Sequence, residues 1–181
     1  MIAFLKHLLN FALVAVLYFL VFYKRFRQQG RQNFRIRTAM YVYIALVLHL
    51  TIMPFRIAIP NFNDFSFLQT VSLVPFADLR TVGNSAWFGI VLNTLMLLPF
   101  GFLLPLCRRC RLVGVTLWTA VFSLSIELTQ LLYVWADSSS TRRCDMTDLL
   151  TNILGGILGY CLYRLLRKPI AKFLHPSEEM P

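Results

Sequence analysis

Charged side chains are scarce in this 181-residue chain, and acidic ones are scarcer than basic ones. Charged residues make up 14% of the sequence, whereas an average soluble domain has roughly a quarter. There are 8 Asp and Glu against 18 Lys and Arg, and hydrophobic residues make up 57%. A soluble domain of this size needs more polar surface than this composition offers, so the composition argues against a soluble protein.

The sequence contains long hydrophobic runs. Several of them approach or exceed the ~20 residues that cross a bilayer as a helix, and none shows the alternation that is typical of barrel strands. We therefore expect an all-α, polytopic membrane protein that forms a bundle of five transmembrane helices. The expected spans are Ala3–Tyr23, Ala39–Phe55, Trp87–Leu106, Leu112–Trp135 and Asp148–Leu166.

The basic residues are distributed unevenly between the connections. Thirteen of the 18 lie in the segments 24–37 and 107–111 and in the C-terminal part from Arg164 onward, and five lie on the other side. Because cytoplasmic connections are enriched in Lys and Arg, we expect the N-terminus outside and the C-terminus in the cytoplasm. The net charge of +10 is thus explained by topology. We expect membrane lipids as partners and no nucleic acid.

The chain has no internal repeat, and we expect one membrane domain. Residues 1–55 form a two-span segment with a basic cytoplasmic loop, residues 56–174 carry the remaining spans, and residues 175–181 form a disordered tail. The outer loop 56–86 mixes aromatic and aliphatic residues with turn residues. We expect it to lie in the membrane interface.

The fourth span contains a carboxylic acid where an acid is costly. Glu127 is the only acidic or basic residue between Leu112 and Trp135. An ionised carboxylate that faces lipid costs about 2.5–3.5 kcal/mol, so we expect it to face the bundle. Ser123, Glu127 and Gln130 share one helix face by their spacing, and Gln130 is a candidate to orient the acid.

A second polar face lies at the start of the fifth span. Asp145, Asp148 and Asn152 share it by spacing, and the Gly155–Gly159 pair continues it with a GxxxG spacing that favours close helix packing. Asn93 in the third span lies at the same predicted depth. We therefore expect the polar groups of spans three to five to meet beneath the outer surface.

Four motifs resemble the VanZ-like family of bacterial membrane proteins over about residues 70–165. They are "SLVPFADL" at 72–79, N-x5-PFG from Asn93, S-x-x-x-E-x-x-Q from Ser123, and R-x-x-D-x-x-D-x-x-x-N-x-x-G from Arg142. The resemblance makes residues 56–174 a VanZ-like domain in the bacterial cytoplasmic membrane. The founding member lowers susceptibility to the lipoglycopeptide teicoplanin, so the resemblance implies a role in the cell envelope and in antibiotic susceptibility.

The polar helix faces and the family resemblance together indicate the candidate site residues. Glu127, Asp145 and Asp148 are candidate acid–base groups, and they are also candidate ligands of a divalent cation. The structural alternative is that Arg142 pairs with Asp145 while Asp148 caps the fifth helix. Arg142 is aligned with the family's arginine, and Arg143 is the alternative. The candidate substrate-binding residues are Asn93, Ser123, Gln130, Arg142 and Asn152.

Three functions fit the sequence. The first is handling of a lipid or lipoglycopeptide at the outer leaflet through a polar pocket between spans three and five. The second is a membrane enzyme that modifies a lipid-linked substrate with Glu127, Asp145 and Asp148. The third is a structural or assembly factor whose carboxylates only hold helices together. No nucleophile with a recognised elbow or triad is present in the sequence, so the reaction class of such an enzyme is open. The sequence does not distinguish an enzyme from a binder.

Overall fold

The computed structural model describes residues 11–52, 66–81, 83–136 and 143–174. The described helices are α1 (residues 11–27, π-helical at Tyr18–Phe22), α2 (Arg31–Ile52), α3 (Asp78–Thr81), α4 (Asn84–Cys107), α5 (Leu112–Ala136) and α6 (Met146–Leu174). The other elements are a 3₁₀ turn (Ser66–Thr70) and two short strands, β1 (Val71–Ser72) and β2 (Cys144–Asp145).

Four of the described helices are long and apolar enough to cross a membrane. They are Arg31–Ile52, Asn84–Cys107, Leu112–Ala136 and Met146–Ile170, and they correspond to predicted spans two to five. The predicted first span, Ala3–Tyr23, lies partly outside the described residues, so the count of five stays a prediction. The helices α2 and α6 extend beyond the predicted limits, because hydropathy marks the apolar part of a helix and not its ends.

The helices α4 and α6 form the most extensive contact between described elements. Glycine makes this possible: a Cβ atom on Gly155 would clash with the carbonyl oxygen of Thr94, and one on Gly159 with that of Leu98. The two backbones therefore touch directly. The prediction that the GxxxG face of the fifth span is a packing face is confirmed.

The two ends of the bundle differ in charge. At one end, called here the basic end, the segments 24–37, 107–111 and 164–168 lie together; the guanidinium of Arg37 donates to the carbonyl of Cys107 at 3.4 Å. At the other end, called the acidic end, lie Asp78, Asp145 and Asp148. The basic connections thus share one end, as predicted, while the assignment of that end to the cytoplasm stays a prediction.

A short parallel pairing closes the acidic end. Val71 pairs with Cys144 and Ser72 with Asp145, so β1 and β2 tie the loop before α4 to the start of α6. The helical class is confirmed, and this two-residue ladder is the one departure from it among the described residues. Leu73 is 70% exposed and Val74 66% exposed in the same loop, which agrees with an interfacial position.

Candidate functional site

Glu127 is buried inside the bundle and holds the start of α6. Its side chain is 3% exposed, and Oε2 accepts a hydrogen bond from the backbone N–H of Asp145 at 3.0 Å. The thiol of Cys144 also hydrogen-bonds to this carboxylate. The prediction that the acid faces the bundle is confirmed. Its partners are the two residues of β2.

Cys144 lies outside the membrane-spanning helices, and its thiol is held protonated. Burial raises the pKa of Cys144 to about 11, and the charge and hydrogen bond of Glu127 add to that effect. Because the thiolate is the reactive form of cysteine, this thiol serves as a hydrogen-bond donor at neutral pH and not as a nucleophile.

The other two predicted carboxylates have separate partners. Oδ1 of Asp145 accepts from the N–H of Thr147 at 2.7 Å, which is the geometry of an N-cap. Oδ1 of Asp148 accepts from Nδ2 of Asn93 at 2.5 Å. The expectation that Asp148 caps the helix is therefore wrong, because α6 begins at Met146 and Asp145 stands at the capping position. Asn93 and Asp148 link α4 to α6.

Ser123 and Asn152 form a deeper polar pair. Both are buried, and Nδ2 of Asn152 donates to Oγ of Ser123 at 2.9 Å. Oδ1 of Asn152 has no hydrogen-bond partner within the described part of the chain. The pair links α5 to α6, one turn of α5 further into the bundle than Glu127.

Gln130 contacts the helix α2, whereas Glu127 contacts the strand β2. Its Nε2 donates to the carbonyl oxygen of Thr51 at 3.1 Å, so it links α5 to the end of α2. The hydrogen bonds that orient Glu127 come from Cys144 and Asp145 instead.

A cavity of about 390 Å³ opens at the acidic end, between the loop that contains Phe76 and the helices α3, α4, α5 and α6. Of the predicted site residues, Gln130, Asp145 and Asp148 line it, whereas Glu127 lies behind the wall. The polar lining residues are Asp78, Ser85, Gln130, Arg143, Asp145, Thr147 and Asp148.

Phe76 is a lining residue that the sequence reasoning missed. Its φ of 60° lies in the left-handed region, which is unusual for an aromatic residue and marks local strain. Its N–H donates to Oγ1 of Thr147 at 2.9 Å, and this bond and the β1–β2 pairing hold the loop. The side chain is 42% exposed. The one signal in the sequence was its place in the motif at 72–79.

Arg143 provides the cation of the site. Arg142 lies outside the described residues, so its predicted pairing with Asp145 is untested. Nη1 of Arg143 lies 3.8 Å from Oδ2 of Asp78, with the two side chains 68% and 45% exposed. An exposed pair of this kind is weak. The guanidinium is thus able to leave Asp78 for a carboxylate or phosphate of a ligand.

The carboxylates do not form a metal centre. Among the residues that the structure describes, no three His, Cys, Asp or Glu side chains are grouped to hold a metal ion. Glu127, Asp145 and Asp148 each accept from a different protein donor. The arrangement of these described side chains does not fit the hypothesis of a divalent cation.

These features define a multi-pass helical membrane protein with a polar pocket at one end of its bundle. The model of the VanZ/LLP1 family matches residues 40–167, which is well over half of the chain, and the chain belongs to that family. The match begins inside α2, so it reaches further towards the N-terminus than the motifs alone indicated. No curated protein and no solved structure matches the chain.

Proposed function

We propose that this protein lies in the bacterial cytoplasmic membrane with its acidic end outside, where it binds the polar part of a lipid or of a teicoplanin-type lipoglycopeptide. The observation that carries the proposal is the cavity at the acidic end, which combines a weakly held guanidinium, carboxylates and an apolar wall. Membership of the VanZ/LLP1 family supports it.

The lining suits an amphiphile. Arg143 matches a carboxylate or phosphate of the ligand, and the oxygens of Asp145 and Asp148 match its hydroxyl or amino groups. The cavity of about 390 Å³ lies at the small end of ligand pockets, about 300–1,000 Å³. It therefore holds a head group or one part of a lipoglycopeptide, while an acyl chain stays in the bilayer outside the cavity.

The hydrogen bonds at the site favour binding over catalysis. Glu127 lies behind the wall and holds the backbone of Asp145, while Asp145 caps α6 and Asp148 holds Asn93. Groups fixed in this way give a preformed pocket, which lowers the entropy lost on binding. Bound ligand at the outer leaflet would change the access of a lipoglycopeptide to cell-wall precursors, and this is the route by which susceptibility would fall.

The test is antibiotic susceptibility in a teicoplanin-susceptible Gram-positive host. Expression of the wild-type protein should raise the inhibitory concentration of teicoplanin, and Arg143→Gln and Phe76→Ala should abolish most of that increase. Leu73→Ala is the matched control, because it changes an exposed apolar residue of the same loop that does not line the cavity. A glycopeptide without an acyl chain is the control compound. If the wild-type protein is present in the membrane and the inhibitory concentration of teicoplanin does not rise, the antibiotic part of the proposal is wrong.

Incubation of purified protein with teicoplanin and with membrane lipids, followed by mass spectrometry, separates a binder from an enzyme. We expect both compounds to be recovered unchanged. A new product that forms with the wild-type protein and is lost in Glu127→Gln would replace binding by catalysis.

A further inference from the structure

A second cavity, of about 360 Å³, lies at the opposite end of the bundle from the proposed ligand pocket. It is formed where the connection between α4 and α5 meets residues 160–167 of α6. Its polar lining consists of Arg109, Arg111, Arg164, Arg167, Tyr160 and Tyr163. In the sequence these arginines belong to the basic residues that indicate topology.

The four arginines of this cavity are exposed and have no ion-pair partner among the described residues. The carboxylates that the structure describes lie at the acidic end or close beneath it. Four positive charges that share one cavity repel one another, and an anion relieves that repulsion. The cavity is therefore built for a negatively charged group.

The donor types indicate phosphate. Guanidinium groups match the oxygens of a phosphate with two parallel hydrogen bonds. Two phenol hydroxyls complete the wall; Tyr160 is buried and Tyr163 half-buried. Neither hydroxyl has a hydrogen-bond partner in the part of the chain that the structure describes, so both remain able to donate to a ligand oxygen.

The position of the cavity indicates a lipid. Pro105 lies at its inner end, three residues before the break between α4 and the next connection. Apolar side chains next to it on α5 and α6 face outward, with Val113 70% and Leu165 77% exposed. A phospholipid with its head group among the arginines would lay its acyl chains along these side chains. Basic pockets between transmembrane helices are known to take anionic head groups.

We propose that this cavity binds the phosphate of an anionic phospholipid head group, at the membrane surface opposite the proposed ligand pocket. A free phosphate ion shares the same chemistry and is the competing source. The proposal is independent of the proposed function, since no residue is common to the two cavities.

The test uses the full chain, purified in detergent, with native mass spectrometry of bound phosphatidylglycerol and of phosphatidylcholine as a neutral reference. The variant Arg164→Gln/Arg167→Gln should weaken phosphatidylglycerol binding at least about tenfold, because two contacting charges are lost. The control Arg31→Gln/Arg35→Gln removes two exposed charges from the same end, outside the cavity, and should change binding less than about twofold. Equal weakening by both variants would show diffuse attraction and would overturn the site.

A second pair of variants and a phosphate titration complete the test. The variant Arg109→Gln/Arg111→Gln repeats the test on the other wall of the cavity, in case the first variant fails to fold. Its control is Arg108→Gln, because the guanidinium of Arg108 lies 5.7 Å from the centre of the Trp118 ring and outside the cavity. Inorganic phosphate is then titrated against protein in phosphatidylcholine nanodiscs. If phosphate raises the Tm of the wild type but not that of the arginine variants, the site binds a free phosphate ion and the lipid proposal is wrong. If only phosphatidylglycerol raises the Tm, the site binds the lipid. Stabilisation by neither, in the wild type, would overturn the proposal.

Discussion

The two ends of this bundle differ in how deeply some of their polar side chains are buried. At the acidic end, Glu127 and Asn152 are buried and hydrogen-bonded to protein groups. At the basic end, Arg109 and Arg164 are exposed and have no ion pair among the described residues. Buried polar groups are costly without their partners, whereas exposed charges are nearly neutral for folding. Substitutions of the buried groups Glu127 and Asn152 should therefore lower stability, whereas substitutions of the exposed arginines should leave stability nearly unchanged.

The largest effect on stability should come from the glycine contact between α4 and α6. Gly159→Val places a side chain against the backbone of Leu98, so α4 and α6 must separate. We expect a loss of about 3 kcal/mol or more in the free energy of unfolding, read as a fall in Tm in detergent. Gly114→Ala is the control, because its Cβ would meet only Cys110 at an ordinary 3.8 Å. A Gly159→Val protein of wild-type Tm would contradict the described packing.

The next effect sharpens the comparison between the ends. Glu127→Ala removes the acceptor of the Asp145 N–H and leaves a void, so we expect the free energy of unfolding to fall by about 2–4 kcal/mol. Glu127→Gln keeps an acceptor and should lose less. Arg111→Ala at the basic end should stay within about 0.5 kcal/mol. If Arg111→Ala were as destabilising as Glu127→Ala, the contrast between the two ends would be lost.

A smaller effect is expected from the deep pair of Ser123 and Asn152. Ser123→Ala leaves the buried Nδ2 of Asn152 without its partner, and we expect a loss of about 1–2 kcal/mol. A double-mutant cycle with Asn152→Ala should give a coupling energy of about 0.5–1.5 kcal/mol, as for other hydrogen bonds between membrane helices. Additive single effects would show that the bond contributes no coupling.

The smallest effect concerns the thiol behind the pocket wall. In a background of Cys107→Ser, Cys110→Ser and Cys161→Ser, only Cys144 reacts with a maleimide. Its pKa of about 11 means that the thiolate fraction, and hence the rate, is low at pH 8 and rises up to about pH 11. Glu127→Gln removes a negative charge that raises this pKa, so the rate profile should shift to lower pH. An unchanged profile would contradict the contact between Glu127 and Cys144.

The spans and the inward direction of the acids were predictable, because burial in a bilayer imposes strong rules on local sequence. Leu112–Trp135 was predicted and Leu112–Ala136 is observed. The predicted second span began at Ala39, whereas α2 begins at Arg31. Its first turns are polar and basic, and hydropathy does not detect helix that leaves the membrane.

The partners of the predicted residues were not predictable from spacing. Glu127 bonds to a backbone N–H that the β1–β2 pairing brings to it, and that pairing joins Val71 to Cys144, far apart in sequence. Such long-range contacts leave no local pattern. Phe76 was missed for the same reason, since its strained backbone is held by Thr147 from α6.

The most direct test of the central claim is the binding of teicoplanin to the purified full chain in nanodiscs, measured by isothermal titration calorimetry. We expect saturable binding to the wild type. Arg143→Gln should weaken binding at least about tenfold, because a charged hydrogen bond to the ligand is lost. Leu73→Ala should leave binding unchanged. Equal affinity of the wild type and Arg143→Gln, with both folded, would show that the acidic-end cavity is not where the lipoglycopeptide binds.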